Sequence, residues 1–481
     1  MLTSSHKHVY IHIISYLVAS NQIPDPVNLP VDRIHGGRQR WRQQQQLGVD
    51  GGGGGEAERG RRLGRGVQVV AHSIYRVPAC IKDLNPKAYR PQAVSLGPFH
   101  HGDERLRPME EHKRRALRHL LRRAGRPLRE FAAAVEEVAE ELRGAYRGLD
   151  AVAAEWRGGD EFLEMMIVDG CFLLEVMRAA GGRNLVGGGD YAPNDPIFSR
   201  HGVLYVVPYI RQDMLMLENQ LPLLLLAKLL AVETAKPAND DAINRMVLRF
   251  LSPTPPLPPS GAGLGLHPLD VYRRSMLHGQ YQTPPEGGRH DVLASDTDII
   301  IRPATELHEA GVRFKKSATG SLRDIRFRRG VLSMPAASVD DATEYTLLNM
   351  MAFERLHAGA GNDVTAYVFF MDSVLRAARD VALLISEGII VQNAIGSDEA
   401  VAKLFRGVSR DAVIEPESAL LAVHRRVNAH CRKRWNVWRA KVRHTTYFRS
   451  PTSVVNFVAA SIVVLMIVVQ TIYTVVSFYK G

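Results

Sequence analysis

Residues Glu161–Arg178 of this chain read EFLEMMIVDGCFLLEVMR. Between its charged ends it is apolar on every side of a helix except at Glu164, Asp169 and Glu175. A helix that is apolar all round is buried in the centre of a domain. We therefore predict a helical body assembled around this segment.

A second apolar stretch, Leu215–Leu230 (LMLENQLPLLLLAKLL), has the same character. Pro222 breaks its helical turn after Glu218-Asn219-Gln220. The stretch is too short to span a bilayer, and it carries Lys228. It is predicted to pack against Glu161–Arg178 as the core. Buried polar groups must be hydrogen-bonded, so the three polar residues before the proline predict a structural network, with a ligand pocket as the alternative.

The body as a whole, residues 67–424, is predicted to be mainly α with a small β hairpin, an α-rich α+β fold. Apolar residues recur every three or four positions in Phe131–Trp156, which predicts a helix. Tyr367–Ser386 is predicted to be another. The hairpin is predicted at Ile325–Arg328 and Val331–Met334, which Arg329-Gly330 can connect as a turn.

Two segments lack the periodicity of folded elements. Residues 1–66 contain runs of Gln and Gly and a basic tract, which predicts a disordered, low-complexity N-terminus. Residues 252–268 are rich in Pro and Gly and predict an exposed loop. The PxxP spacings of this loop could also dock a proline-binding module, and exposed segments near it are where we expect protein partners.

The C-terminal stretch Val454–Phe478 (VVNFVAASIVVLMIVVQTIYTVVSF) contains no charged side chain. As a helix with a rise of about 1.5 Å per residue, it can cross a hydrocarbon core of about 30 Å. We predict one transmembrane helix and contact with membrane lipid. The side chains assigned to the anchor are Val454, Phe457, Ile462, Leu465, Ile467, Ile472 and Phe478.

A basic and aromatic segment, residues 425–449, precedes this stretch, and no Asp or Glu occurs after Glu417. Positive residues beside a span favour the cytosolic side, so the body is predicted to be cytosolic. The segment could rest on anionic lipid or could be a solvated basic helix that leads into the anchor. Its principal cations are Arg432, Lys433, Arg434, Arg439, Lys441, Arg443 and Arg449.

An N-terminal signal peptide with an extracytoplasmic body is the alternative topology. Val9–Ala19 is a short apolar run after Lys7, and cleavage after Ser20 would fit it. Against this stand the charge of the C-terminal flank, the three widely spaced cysteines and the absence of any Asn-x-Ser/Thr sequon.

The net charge of +11 raises the question of whether the chain binds nucleic acid. Only 12 of the 61 basic residues are lysine, and the chain is also rich in Ala and Gly, a composition that GC-rich codons produce. Outside the membrane flank, no basic segment is interleaved with aromatics at stacking intervals. No nucleic-acid partner is expected.

Catalytic motifs are absent from the sequence: there is no GxxxxGK[ST] loop, no GxSxG elbow and no HExxH helix. The densest ligand-like group is His100, His101 and His112. Adjacent residues of an extended segment point to opposite faces, which makes shared coordination awkward, so no metal and no cofactor is expected. An unrecognised enzyme would need carboxylates such as Asp169, Glu218, Asp340 and Asp341 to converge on a pocket.

Eleven short motifs occur in order from Ile74 onwards. They read IYRVP (74–78), YRP followed by VSLGPFHHG (89–102), MEEHK (109–113), MMIVDGCFLLE (165–175), DPIF (195–198), DMLMLENQLP (213–222), ATELHEAGVRFKK (304–316), DDATE (340–344), AFE (352–354), FMD (370–372) and GSDEAVAKLF (396–405). In these motifs and in its apolar C-terminus the chain resembles the plant family called domain of unknown function 247.

The resemblance implies a plant membrane-associated protein with a mainly helical body and supplies no enzyme activity. Some members in grasses are implicated in pollen–stigma self-incompatibility, which gives recognition as a further alternative. Two positions depart from the family pattern. The region before IYRVP lacks the tryptophan-containing helical lead, so a gene-model artefact is a second interpretation of residues 1–66. Ala400 stands where the family often has an acid.

Overall fold

The computed structural model describes residues 72–149, 160–181, 191–252, 261, 263–279, 301–393, 395–412, 418–432 and 451–480. The N-terminal segment 1–66, most of the loop at 252–268 and the basic residues 433–449 lie outside the described residues. The predictions made for those segments, including the signal peptide, therefore stay predictions.

Helices dominate the described residues. The first group is α1 (Ala79–Lys82), α2 (Pro108–Ala124), α3 (Leu128–Glu136), α4 (Ala139–Gly144), α5 (Asp160–Gly181), α6 (Arg200–Tyr205), α7 (Val207–Asp213), α8 (Leu223–Thr234), α9 (Asp240–Leu251) and α10 (Pro268–Met276). The second group is α11 (Ala304–Glu309), α12 (Thr343–Leu356), α13 (Asp363–Val374), α14 (Ala378–Ser386), α15 (Asp398–Val408), α16 (Ala419–Arg432) and α17 (Pro451–Lys480). The prediction of a mainly α fold is confirmed.

The strands of the described segments are short and form three small sheets. They are β1 (Ile74–Tyr75), β2 (Tyr146–Arg147), β3 (Arg313–Lys316), β4 (Arg326–Arg328), β5 (Val331–Met334), β6 (Ala337–Val339) and β7 (Ile390–Asn393). β1 pairs with β2 and β6 with β7, both in parallel. The predicted hairpin is β4 and β5, which are antiparallel. β3 adds a parallel strand on the other side of β5, which the sequence did not predict.

The helix predicted as the centre of the body is α5. It packs against α2, α3, α8 and α9, and its middle is buried on all sides. Gly170 lets α8 approach closely, since an added Cβ would lie 2.4 Å from a methyl of Leu229. The predicted packing of the two apolar stretches is therefore observed, although only the part after Pro222 is helical.

The second half of the body is a helical layer in which α13 packs against α12, α15 and α16. Two long helices predicted from the sequence are each divided in the structure. Tyr367–Ser386 consists of α13 and α14, and the described part of Phe131–Trp156 consists of α3, α4 and β2. In both cases the apolar periodicity continues through a short non-helical interruption, so the spacing of apolar residues alone could not reveal where the helix ends.

Candidate functional site

The DMLMLENQLP segment (Asp213–Pro222) is the most densely hydrogen-bonded candidate site in the described chain. It follows α7 and runs without regular structure to the start of α8. Its polar side chains, Asp213, Glu218, Asn219 and Gln220, are at most 3% exposed. Since buried polar atoms are costly unless paired, their partners indicate what the segment does.

Asp213 binds the backbone of a neighbouring extended segment. Its carboxylate accepts N–H groups from Gln92, Ala93 and Val94 at 2.8, 2.6 and 2.9 Å. Burial raises the pKa of Asp213 to about 7, against the lowering effect of the three N–H donors. The side chain is fully enclosed, so it holds the backbone and offers no free oxygen to a ligand.

Asn219 continues this attachment. Its Oδ1 accepts the N–H of Leu96 at 2.7 Å, and its Nδ2 donates to the carbonyls of Val94 and Asp213, each at 3.0 Å. Gln220 serves the other side of the segment. Its Nε2 donates to the carbonyls of Met214 and Met216 at 2.7 Å, and its Oε1 accepts the N–H of Leu269 in α10 at 2.9 Å. The nitrogen and the oxygen of both side-chain amides therefore have hydrogen-bond partners within the protein.

Glu218 binds a backbone N–H group and the partly exposed side chain of Lys82. One oxygen accepts the N–H of Val77 at 2.6 Å, and the other lies 2.7 Å from Lys82 Nζ and 3.5 Å from His100 Nε2. Burial and, to a smaller extent, the positive charge of Lys82 lower the pKa of His100 to about 4. His100 is therefore neutral at physiological pH, and Lys82 carries the charge that balances Glu218.

A second buried pair lies beside the first network. Lys113 Nζ is 2.7 Å from Asp169 Oδ1 on α5 and donates to Glu110 at 2.7 Å and to Ser95 at 3.0 Å. The other oxygen of Asp169 accepts the N–H of Gly97 at 2.8 Å. Together these contacts attach residues 92–97 to α5 as well as to the DMLMLENQLP segment.

The carboxylates expected for an enzyme do not share partners. Asp169 and Glu218 are each matched by a lysine and a backbone N–H, as described above. Asp340 and Asp341 are exposed, and Asp340 accepts hydrogen bonds from Ala342 N and Thr343 Oγ1 at the start of α12. The arrangement favours the structural interpretation of Glu218-Asn219-Gln220 over the ligand pocket.

The three histidines considered as metal ligands have different surroundings. His100 lies beside Glu218, His101 is exposed, and His112 is buried on α2, where burial and Arg115 lower its pKa. In the described part of the chain, no group of three or more His, Cys, Asp or Glu side chains is placed to hold a metal ion.

The C-terminal helix α17 is the other candidate site. Its 30 residues include all of the predicted anchor, and the apolar window Val458–Val476 has no part buried inside the protein. Among the described anchor side chains, Ile462, Leu465, Ile467 and Ile472 are between 53% and 63% exposed. By length and composition this helix can cross a membrane, and it is the only such helix among the residues described.

Comparison with known proteins gives relatives along most of the chain. A family model described as plant protein of unknown function, domain of unknown function 247, matches residues 74–466. The chain is 29% identical over 432 residues to UPF0481 protein At3g47200 of Arabidopsis thaliana, with 84% of this chain and 86% of the relative covered. It is 21% identical over 518 residues to Putative UPF0481 protein At3g02645 of the same plant, with 86% and 92% covered. No solved structure matches the chain.

Proposed function

This chain belongs to the plant family of proteins of unknown function called domain of unknown function 247, and we propose that it is a membrane-anchored interaction protein without enzymatic activity. In this proposal α17 lies in lipid, and the helical body is held at the cytosolic face of the membrane. There the body presents a surface to protein partners.

The observation that carries the proposal is the exposure of α17. A helix of 30 residues is about 45 Å long, enough for a hydrocarbon core of about 30 Å and both interfaces. Contiguous apolar surface of this size is not found on the water-exposed face of an ordinary soluble protein. Lipid is the environment that accepts such a helix, because its backbone groups are hydrogen-bonded internally.

The partners of the buried carboxylates support a non-enzymatic role. A carboxyl group that acts as a general acid or base must lie within hydrogen-bond reach of a substrate. Asp169, Asp213 and Glu218 instead bind backbone N–H groups, and two of them also bind lysines. Their chemistry is used to hold segments of the body together, which leaves its surface for recognition.

The experiment combines alkaline carbonate extraction and protease protection on membranes that carry the full-length chain. We expect the protein to stay in the carbonate pellet and the body to be digested by protease added from the cytosolic side. Release of the wild-type chain into the supernatant would refute the anchor. A body that is protected from protease and cleaved after Ser20 would instead support the alternative of a secreted recognition protein with an N-terminal signal peptide.

A matched pair of variants tests whether α17 is the anchor. Leu465→Arg with Ile467→Arg places two charges in the middle of the apolar window, at a cost of about 2.5 to 3.5 kcal/mol each. We expect this variant to be extracted by carbonate. The control is Leu204→Arg with Tyr205→Arg, which adds the same charges at apolar side chains exposed on the body. The control should remain in the pellet.

A further inference from the structure

The outer face of the β3–β5–β4 sheet carries a regular array of cations. The register places Arg313, Val331 and Arg328 in one row across the three strands. Lys315, Ser333 and Arg326 form the next row on the same face. We call these six residues the cationic face. With neighbouring strands about 4.8 Å apart, the two cations of each row flank the central strand at a backbone separation of about 10 Å.

The two faces of this sheet have opposite characters. The row between the two cationic rows, Phe314, Leu332 and Phe327, points inward and is at most 7% exposed. On the cationic face, Arg313, Lys315 and Arg328 are exposed. A depression of about 210 Å³ is lined by Arg326, Arg328, Val331 and Ser333. The alternation fixes the cations on the outside, because a slip of one residue would bury them and expose the aromatics.

Most of this charge is unbalanced. Arg326 pairs with Asp324 at 2.7 Å. Among the described residues, Arg313, Lys315 and Arg328 have no carboxylate within ion-pair distance, and Arg329 in the turn between β4 and β5 adds one more exposed cation. The like charges of each row lie on β3 and β4, about 10 Å apart on either side of β5, and the central residues Val331 and Ser333 carry no charge that would offset their repulsion. An array of this kind therefore fits a polyanionic partner.

The cationic face belongs to the sheet that packs against α16, the last helix described before α17. α16 packs on β4, with the His430 ring 5.3 Å from the ring of Phe327. α16 ends at Arg432 and α17 begins at Pro451, so 18 residues connect them. Even fully extended, these residues reach only about 60 Å. The end of α16, which packs on the sheet, therefore lies within about 60 Å of the start of α17.

We propose that the cationic face binds the phosphate groups of anionic phospholipids in that same membrane. Arginine binds phosphate through two parallel N–H donors, and lysine adds a point charge. Tethering by α17 raises the effective lipid concentration, so a modest attraction is enough to orient the body. The inference rests on the proposed function in one respect, since it takes the anchored bilayer as the binding partner.

Lipid fits this face better than nucleic acid does. Binding of single strands uses aromatic side chains on which bases stack, and the outward residues between the cations are Val331 and Ser333. Headgroup phosphates need only charge and hydrogen-bond donors, which this face supplies.

The experiment uses the full-length chain in lipid nanodiscs. A polarity-sensitive fluorophore is attached at Ala318→Cys, an exposed position just after β3 and outside the cationic face, in a Cys80→Ser background, because Cys80 is exposed while Cys171 and Cys431 are buried. The readout is quenching by a lipid that carries a quencher on its headgroup. We expect much stronger quenching when phosphatidylserine is added to phosphatidylcholine than with phosphatidylcholine alone, and loss of the difference at high salt.

The test variant is Arg313→Gln with Lys315→Gln and Arg328→Gln. Each cation near an anionic surface is worth about fivefold in binding, so the variant should weaken the contact roughly a hundredfold and abolish the extra quenching. The control, Arg114→Gln with Arg118→Gln and Arg129→Gln, removes the same charge from exposed arginines of α2 and α3 and should behave as the wild type.

Each contrary result overturns the inference. Equal quenching in neutral and anionic nanodiscs would exclude an anionic-lipid site, and so would retained quenching in the test variant. Relief of quenching by inorganic phosphate or by poly(U) RNA at low concentration would assign the face to a soluble anion or to nucleic acid. Carbonate resistance of the test variant separates this inference from the anchor: a chain that stays in the pellet without lipid-dependent quenching refutes only the cationic face.

Discussion

The ammonium group of Lys113 lies 2.7 Å from the carboxylate of Asp169, and neither side chain is more than 1% exposed. The pair joins α2 to α5 in the centre of the first half of the body. Burial raises the pKa of Asp169, and Lys113 lowers it again. A buried ion is tolerated only while its partner is present. Removal of either charge alone should therefore destabilise the protein strongly.

Lys113→Met should lower the free energy of unfolding by about 3 to 5 kcal/mol, because Asp169 is left as an unpaired buried charge. The loss should be smaller at pH 5 than at pH 8. A carboxyl group whose pKa is raised in the folded state binds a proton on folding, so its destabilising effect grows as the pH rises. Chemical denaturation of the protein in detergent micelles at the two pH values measures both effects.

The double variant Lys113→Met with Asp169→Asn is the control for this interpretation. The asparagine carbonyl can still accept the N–H of Gly97, and no charge remains to be balanced. We expect it to recover a large part of the lost stability. A double variant no more stable than Lys113→Met would mean that the lysine acts through packing and not through charge.

Gly97→Ala should destabilise the body much more than Gly102→Ala does. Both glycines have a positive φ, 75° and 81°, at which an added Cβ costs about 1 to 2 kcal/mol. At Gly97 that Cβ would also lie 2.8 Å from Gln220 O and from Tyr146 Oη, whereas Gly102 has nothing within 4 Å. Overpacking should add about 1 to 3 kcal/mol at Gly97, and equal losses at the two sites would contradict the observed packing.

His267 should make stability depend on pH between about 4 and 6.5. Its Nδ1 accepts the N–H of Asp270 as the cap of α10, and its Nε2 lies 3.0 Å from the carbonyl of Ser73. Protonation of Nδ1 would break the cap, and burial lowers the pKa to about 4. The unfolded chain binds the proton at a higher pH than the folded chain does, so stability is full above pH 6.5 and is lost as the pH falls towards 4.

His267→Asn tests that dependence, because asparagine can still cap the helix but does not titrate in this range. From pH 7 to pH 4, the wild type should lose about 3 kcal/mol more of its free energy of unfolding than the variant does. Asp213, whose raised pKa has the opposite effect on the pH slope, is present in both proteins and cancels in the difference. Parallel pH profiles would contradict the assignment.

Zn²⁺ or Mn²⁺ should leave the melting temperature of the full-length protein unchanged. A metal that bound the folded state would raise it in a concentration-dependent way. His100 is the ligand candidate nearest to an acid, so His100→Ala is the control variant. A saturable rise for the wild type that disappears in this variant would show that His100 binds metal.

Some features follow from local chemistry, and the sequence was sufficient to predict them. The all-round apolar pattern of Glu161–Arg178 predicted the central helix α5, and the alternation around Arg329-Gly330 predicted β4 and β5. Ser397 is a residue type that favours the start of a helix, and its side chain accepts the N–H of Ala400 at the start of α15. Each of these signals lies within a few residues of the structure it specifies.

Other features depend on contacts between residues far apart in the chain. β3 was not predicted, because its pairing with β5 joins segments separated by a loop, and only that pairing brings Arg313 and Lys315 beside Arg326 and Arg328. Glu218 and Asn219 have partners more than 100 residues away, at Val77, Lys82 and Leu96, and the side chain of Gln220 reaches Leu269 in α10.

Hydrophobic periodicity and length are local properties, and they were sufficient to predict a helical body and an apolar helix near the C-terminus. The contacts of the buried carboxylates with backbone and lysines became visible only in the folded molecule, and so did the assembly of scattered basic residues into one face of a sheet. A charge has no fixed role until folding sets its neighbours and its exposure to water, and neither is encoded at the position of the charge.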